Sequence, residues 1–428
     1  MLPTLSGQNP LIEPNTSSEG LQSLLVFSKD AKPHLGGLAE YLHRICEALG
    51  QSGVRTVLAT PVREGPGDAP QWHEVIRLPS PYGKAFDALE PALLGGSFRS
   101  LIFAMRARRW ARRWAPKLVA TYQPQVALMG IWSGLTGYWA DACARLRVPV
   151  GYFALGREVG FRGRGLAGRV VARNRRRAFA RAQIVFAVSR ATADAVAALG
   201  VPRSRIVTVP PGIEMDRFPP APPEYCGHVA RSLGIEGKRI ILTISRLVPR
   251  KGISTMIDAL PFVLREAPDC VYVIAGFGDE ERALRRQAAM QGLANDVVFV
   301  GTVSEETKRA LYQLCDVFVL PCRDLADGDT EGFGIVFLEA GAYGKPVVAG
   351  RAGGVVDAVI HGETGLLVEP GSPEELATAV ARVLHDEQLA GQLGRGGRAW
   401  AETMTWQAAA ATVRTTLDRL VAAPNRTE

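Results

Sequence analysis

Residues 239–275 read RIILTISRLVPRKGISTMIDALPFVLREAPDCVYVIA. The run Arg239–Ile244 is apolar apart from its edges, Ile253–Arg265 is amphipathic with a helical period, and Val271–Ala275 is apolar again. Two apolar runs joined by a helix predict parallel strands buried on both faces. The pattern continues downstream with strands at Val297–Val300, Val317–Leu320, Pro346–Ala349 and Leu366–Val368, and a helix at Glu280–Gln291. Upstream it gives strands at Ser23–Phe27, Arg55–Ala59, Gln125–Met129, Pro149–Phe153, Gln183–Val188 and Arg205–Val209, with helices at Gly37–Leu49 and Arg190–Leu199. Two such series predict α/β architecture with two doubly wound, Rossmann-like domains. The proline-rich stretch Pro210–Pro223 places the boundary. The expected domains are 1–215 and 216–404, with a last helix, Gln407–Val421, crossing back from 405–428 to the first. Ligands of open parallel sheets bind beyond the carboxyl ends of the strands, so the expected site is a cleft that the two domains face.

Composition narrows the class. With 47% hydrophobic and 21% charged residues over 428 positions, the chain is globular and long enough for two cores. Its net charge of +8 is unevenly spread: residues 1–215 carry 28 of the 50 Lys and Arg but only 14 of the 42 Asp and Glu. A basic first half points to an anionic surface as partner. The six cysteines have no metal-ligand or redox spacing, which predicts buried, reduced thiols. Met1–Gly20 lacks the layout of a signal peptide and no run of apolar residues is long enough to span a membrane, so a cytoplasmic protein is expected.

Three segments carry chemistry. In Glu331-Gly-Phe-Gly-Ile-Val-Phe-Leu-Glu339 two carboxylates flank a glycine turn that opens a helix. The backbone N–H groups of Phe333, Gly334, Ile335 and Val336 would lie at that helix N-terminus and can cradle a diphosphate. Glu331 would face sugar hydroxyls, and Glu339 could accept from a ribose. Alone, the pair also fits two surface carboxylates at a helix start. Next, Ser245-Arg-Leu-Val-Pro-Arg-Lys-Gly252 puts Arg246 and Lys251 on a loop after a strand, where they can neutralise a diphosphate leaving group in place of a metal. A solvated basic turn has the same composition. Last, Gly36 and Gly37 begin a helix after the first strand, and Gly276 and the pair Gly353-Gly354 follow later strands. Such glycines allow close backbone approach to a ligand, although a tight turn explains each singly.

Together these segments resemble the retaining family-4 glycosyltransferases of the GT-B fold, and in particular the GDP-mannose-dependent transferases that elongate phospholipid-linked mannosides. The resemblance covers nearly the whole chain. It is carried by Ile244–Gly252, Ile274–Asp279, Val300-Gly301, Leu320-Pro321, Glu331–Glu339, Gly344–Val348, Gly353-Gly354 and Thr364–Val368, with Pro211–Phe218 as the interdomain junction. It implies that Arg246 and Lys251 contact the donor diphosphate, that Glu339 contacts the ribose, and that Glu331 with the following amides holds the sugar. It puts Gly37 under the phosphate and the base on Gly301–Val303, with configuration retained.

One departure stands out. Many members carry a histidine near the sugar, but Leu128–Trp132 and Phe153–Gly160 contain none, and Leu155 occupies the matching position. Glu158 remains, and His34 beside the glycine pair is a candidate substitute. Asp327-Gly-Asp329 looks like the metal-binding Asp-x-Asp of another transferase fold, but it precedes Glu331 in a chain that already supplies Arg246 and Lys251. It is read as a polar loop, and no metal or other cofactor is expected.

The basic half has two clusters. Arg99–Lys117 holds seven basic residues and no acidic one, and Arg157–Arg181 holds nine arginines and one glutamate. Trp110 and Trp114, flanked by Arg108, Arg109, Arg112 and Arg113, share one helix face. That pattern suits a lipid headgroup layer. The expected function is transfer of mannose or glucose from a GDP- or UDP-hexose to a lipid-linked or glycolipid acceptor of the cell envelope, at the inner face of the membrane. The alternative is a soluble transferase for a small sugar or sugar phosphate. No nucleic-acid recognition motif accompanies the basic patches, so nucleic acid is not expected as a partner.

Overall fold

The computed structural model describes residues 20–29, 31, 37–61, 71–81, 98–160 and 165–423. Thirteen strands form two sheets among them. The first holds β1 (Ser23–Phe27), β2 (Arg55–Thr60), β3 (Glu74–Arg77), β4 (Val126–Met129), β5 (Val150–Ala154), β6 (Ile184–Ala187) and β7 (Ile206–Thr208), in the order β3-β2-β1-β4-β5-β6-β7. The second holds β8 (Arg239–Ile244), β9 (Cys270–Ala275), β10 (Val297–Gly301), β11 (Val317–Leu320), β12 (Val347–Gly350) and β13 (Leu366–Val368), in the order β10-β9-β8-β11-β12-β13. Pairing is parallel, as in β8 with β9 and β11, and β1 with β2 and β4. Both sheets are therefore doubly wound, with the strand order reversing between β1 and β4 and between β8 and β11.

The chain forms two compact units. One comprises residues 1–152, 181–184 and 410–428, and the other 153–180 and 185–409. The helix Trp406–Ala422 belongs to the first unit from Ala410 on, and there Leu21 N donates to Asp418 Oδ1 at 2.6 Å. In the second, β8, β9, β11, β12 and β13 are sandwiched by helices whose buried faces, such as Ile253, Met256, Ile257, Leu260 and Val263, form one apolar core. The strands are buried along most of their length, which accounts for their uninterrupted apolar sequence.

Strand β3 was not legible in the sequence. It is a half-buried edge strand of four residues, Glu-Val-Ile-Arg, too short and too polar to stand out.

The tryptophan pair calls for a correction. Trp110 and Trp114 do not face a lipid layer; they are 8% and 7% exposed. On the helix Phe98–Tyr122 they share a stripe with buried Ala107, Ala111, Ala115 and Leu118. Trp110 lies 5.7 Å from Phe27 and 5.4 Å from Trp139 between ring centroids, and its Nε1 donates to Pro79 O at 2.6 Å. The small alanines let the helix approach its neighbours, so an aromatic face that looked amphipathic toward lipid is a core face. Arg108, Arg109, Arg112 and Arg113 are exposed on the other side.

All six cysteines are buried and free. Burial pushes Cys46, Cys143, Cys315 and Cys322 up to about 12.

Trp110→Ala should lower the unfolding free energy by about 3–5 kcal/mol through loss of a large buried side chain. Arg109→Ala should change it by less than about 0.5 kcal/mol. Urea unfolding of the two variants measures the difference, and equal effects would contradict the core assignment.

Candidate active site

The second unit places its charged residues at its switch point, beyond the carboxyl ends of β8 and β11. The loop after β8 ends in a short helical turn, Pro249–Lys251, that buries Arg250 and Lys251. Gly252 closes it at φ +68°, and a Cβ there would lie 1.9 Å from Pro321 O. Only glycine therefore lets this loop touch the one that follows β11. Arg323 ties the two further: its N–H donates to Arg250 O and its Nε to Pro249 O, both at 2.9 Å.

The loop after β11 carries Glu331 into the same place. Lys251 Nζ lies 2.7 Å from Glu331 Oε2, and Arg250 Nε lies 3.5 Å from it. Arg250 Nη1 also donates to Asp329 Oδ2 at 3.3 Å, and Arg157 Nε lies 3.8 Å from Asp329 Oδ1. Burial pushes the Glu331 carboxyl up, but Lys251 and Arg250 outweigh it and hold the group below the usual carboxylate range. It stays ionised and accepts hydrogen bonds only. Arg246 is exposed on the same loop and makes no ion pair among the described residues. Burial of part of its length and the neighbouring Arg250 push its guanidinium down from its ordinary value.

Gly334, at φ +92°, opens the helix Ile335–Ala342. Phe333 is buried, and Ile335 and Val336 form the first turn, whose N–H groups lack acceptors within the helix. Glu339, further along that helix, accepts from Tyr312 Oη at 2.8 Å and from Lys308 Nζ at 3.4 Å. Burial pulls Lys308 down, yet Glu339 and Glu305 raise it above its ordinary value. On the adjoining strands Gly276 N donates to Gly301 O at 2.7 Å, and Val303 follows half-buried.

The structure thus brings together Glu331, Arg246 and Lys251 with Gly276, Gly301, Val303, Phe333, Gly334, Ile335, Val336 and Glu339 in one unit. Gly37 begins the helix Gly37–Gln51 in the other unit. His34 and Gly36 lie outside the described residues. Glu158 turns back on its own loop, where Leu155 N donates to its Oε1 at 2.5 Å. Burial pushes its carboxyl up from the ordinary value.

Sequence reading missed Arg250, Asp329, Arg157, Lys308 and Tyr312. Asp329, read from the sequence as part of a polar loop, is 8% exposed and paired with Arg250. Its burial and its pairing with Arg250, 79 residues away, leave no local mark in the sequence. Lys308 and Tyr312 are four apart on the helix Glu305–Leu314, so they share the face that meets Glu339.

The chain resembles known proteins in sequence and in fold. The family described as Glycosyl transferases group 1 matches residues 229–400, and Glycosyltransferase Family 4 matches residues 35–217. The chain is 31% identical, over 395 residues covering 90% of it and 95% of the relative, to a GDP-mannose-dependent alpha-(1-6)-phosphatidylinositol monomannoside mannosyltransferase of Mycobacterium tuberculosis. To the protein of that name in Mycolicibacterium smegmatis it is 39% identical over 51% of this chain and 58% of the relative. Among solved structures, the Anabaena protein HepE in complex with UDP superposes with a TM-score of 0.71 at 21% identity, covering 93% of this chain and all of that one. The chain belongs to glycosyltransferase family 4 and has the GT-B fold. It is a hexosyltransferase.

The depressed value of Glu331 sets a pH window. Its stabilising contribution is present above the unfolded carboxylate value of about 4.3 and is lost as pH falls through the lower folded value. Glu331→Gln should cost about 3–5 kcal/mol of stability at pH 7, because Lys251 and Arg250 lose a buried partner. Denaturant unfolding should show the gap between wild type and variant narrowing below pH 4. A gap independent of pH would mean that Glu331 is not a buried carboxylate.

Proposed function

We propose that this enzyme transfers a hexose, with retention of configuration, from a GDP- or UDP-hexose to a lipid-linked or glycolipid acceptor, mannose from GDP-mannose being the leading donor. The observation that carries the reading is the pairing of Lys251 with Glu331 at 2.7 Å beside a helix N-terminus. A cation and free backbone N–H groups suit the diphosphate, and an acceptor-only carboxylate next to them suits sugar hydroxyls. The full-length likeness to a phosphatidylinositol monomannoside mannosyltransferase supports the choice of sugar and of a lipid acceptor.

The geometry supports these roles. Arg246 and Lys251 neutralise charge on the leaving diphosphate. Glu339, held by Lys308 and Tyr312, presents an oxygen to the ribose. Glu331 is ionised and enclosed by cations, so it orients the sugar and takes no proton. With no histidine in Phe153–Gly160, the leaving phosphate oxygen is the base for the acceptor hydroxyl, which attacks on the face that the nucleotide vacates. Asp329 pairs with Arg250 and Asp327 Oδ1 accepts from Asp329 N at 3.0 Å, which supports a reaction that requires no metal. Residues 216–404 take the donor and residues 1–215 the acceptor. The exposed arginines of the helices Phe98–Tyr122 and Gly165–Arg181 hold the enzyme at the anionic inner face of the cell membrane.

A thermal-shift screen with EDTA present, using GDP, UDP and their mannose, glucose, galactose and N-acetylglucosamine conjugates, tests the donor. One nucleotide series should raise the midpoint, by mass action on the native state. No shift with any of them would remove the donor assignment. Vesicles containing phosphatidylinositol or phosphatidylglycerol should carry the protein upward in low-salt flotation and lose it at high salt. Flotation unaffected by lipid charge would favour a soluble acceptor.

A further inference from the structure

We propose that Phe277 is a donor-binding residue of the second unit, its ring being the platform on which the base of the nucleoside diphosphate stacks. The inference rests on the donor reading above.

The strand order puts Phe277 under the nucleoside. Lys251 and Glu331 meet at the crossing of β8 and β11, and Glu339 is held by Lys308 and Tyr312 of the helix that follows β10. β9 lies between β8 and β10. A nucleotide reaching from Lys251 toward the end of β10 therefore passes over the loop that follows β9. That loop is pinned on both sides. Gly276 N donates to Gly301 O at 2.7 Å, and Leu247 N donates to Phe277 O at 2.9 Å. A Cβ on Gly276 would lie 1.8 Å from Ser245 O, and one on Gly278 would lie 2.3 Å from Leu247 O, so neither position admits a side chain. Phe277, between these two glycines, is the one apolar side chain of Gly276–Glu280.

The ring is bare. At 56% exposure it is the most exposed phenylalanine or tryptophan among the described residues. Phe262, also exposed, has the Arg265 guanidinium over its ring at 4.7 Å, whereas Phe277 has neither ring nor cation against it among the described residues. The end of β10 beside it is open as well, since a Cβ on Gly301 would meet nothing within 4 Å. A turn held by two glycines has no need of an aromatic side chain in water. A base offers a flat face of matching size, and stacking on it tolerates any base, so the platform adds affinity without reading hydrogen bonds. The sugar is not the partner of this ring: Glu331 follows β11, on the far side of β8 from β9.

Calorimetric titration of GDP and UDP into wild type, Phe277→Ala, Phe277→Trp and Arg246→Ala tests this, with tryptophan emission followed in parallel. Phe277→Ala should weaken the better-bound nucleotide roughly tenfold. The melting temperature without ligand should stay unchanged, because the ring is exposed. Phe277→Trp should keep the affinity, and its emission beyond that of wild type should be quenched as the base stacks. Full affinity in Phe277→Ala with loss in Arg246→Ala would overturn the role of Phe277 and leave the donor site standing. Loss in Phe277→Ala without recovery or quenching in Phe277→Trp would overturn the stacking. Full affinity in both alanine variants, or no binding by wild type, would overturn the donor reading and this inference with it.

Discussion

The loops beyond β8 and β11 in the second unit depend on the close pairing of Lys251 with Glu331 in a place with little water. Removing charges from solvent costs several kcal/mol per ion, and only close, fixed geometry offsets it. The loops after β8 and β11 therefore have little latitude. Gly252 lies against Pro321 O, Arg323 bonds the backbone of the β8 loop, and Gly354 N donates to Glu331 O at 2.8 Å. Each contact fixes one end of the ion network, and the network holds the loops together. A site of this kind is organised before any substrate arrives, which lowers the reorganisation that charge separation would otherwise demand.

The two sheets share a strand order over six strands, the first adding β7, yet their switch points carry different chemistry. At β8 and β11 the crossing is lined by arginines, a lysine and carboxylates. At the start of the first sheet, Phe27 stacks on Trp139 at 4.2 Å and Trp110 joins them. Topology decides where a crevice forms, and side chains decide what it does. That is why the position of Glu331 follows from the fold, while its ionised state follows from Lys251 and Arg250.

Much of the fold was legible because parallel strands buried on both faces leave long apolar runs, as in Val271–Ala275. β3 was not, since an edge strand needs only one neighbour and little apolar surface. Lys251 and Glu331 were legible from their setting after a strand and before a helix. Asp329 and Arg157 were not, because burial and pairing across more than seventy residues leave no local trace. The tryptophans of the helix Phe98–Tyr122 show the limit from the other side. Aromatic and arginine residues alternating at helical spacing read alike for a lipid face and for a core face. The alanines between them carry the difference, since small residues on the aromatic side permit the close approach that packing requires.

The buried thiols have a practical meaning. Thiolates, not thiols, react with alkylating agents and peroxides, and burial that raises these groups suppresses the reactive form as well as access to it. In the native state the six cysteine thiols are therefore slow to react with such reagents. Cys46 and Cys143 belong to one unit, and Cys226, Cys270, Cys315 and Cys322 to the other. The molecule thus carries its own set of labels for local opening, in which the rate of modification at each position reports how often that part of the core is exposed.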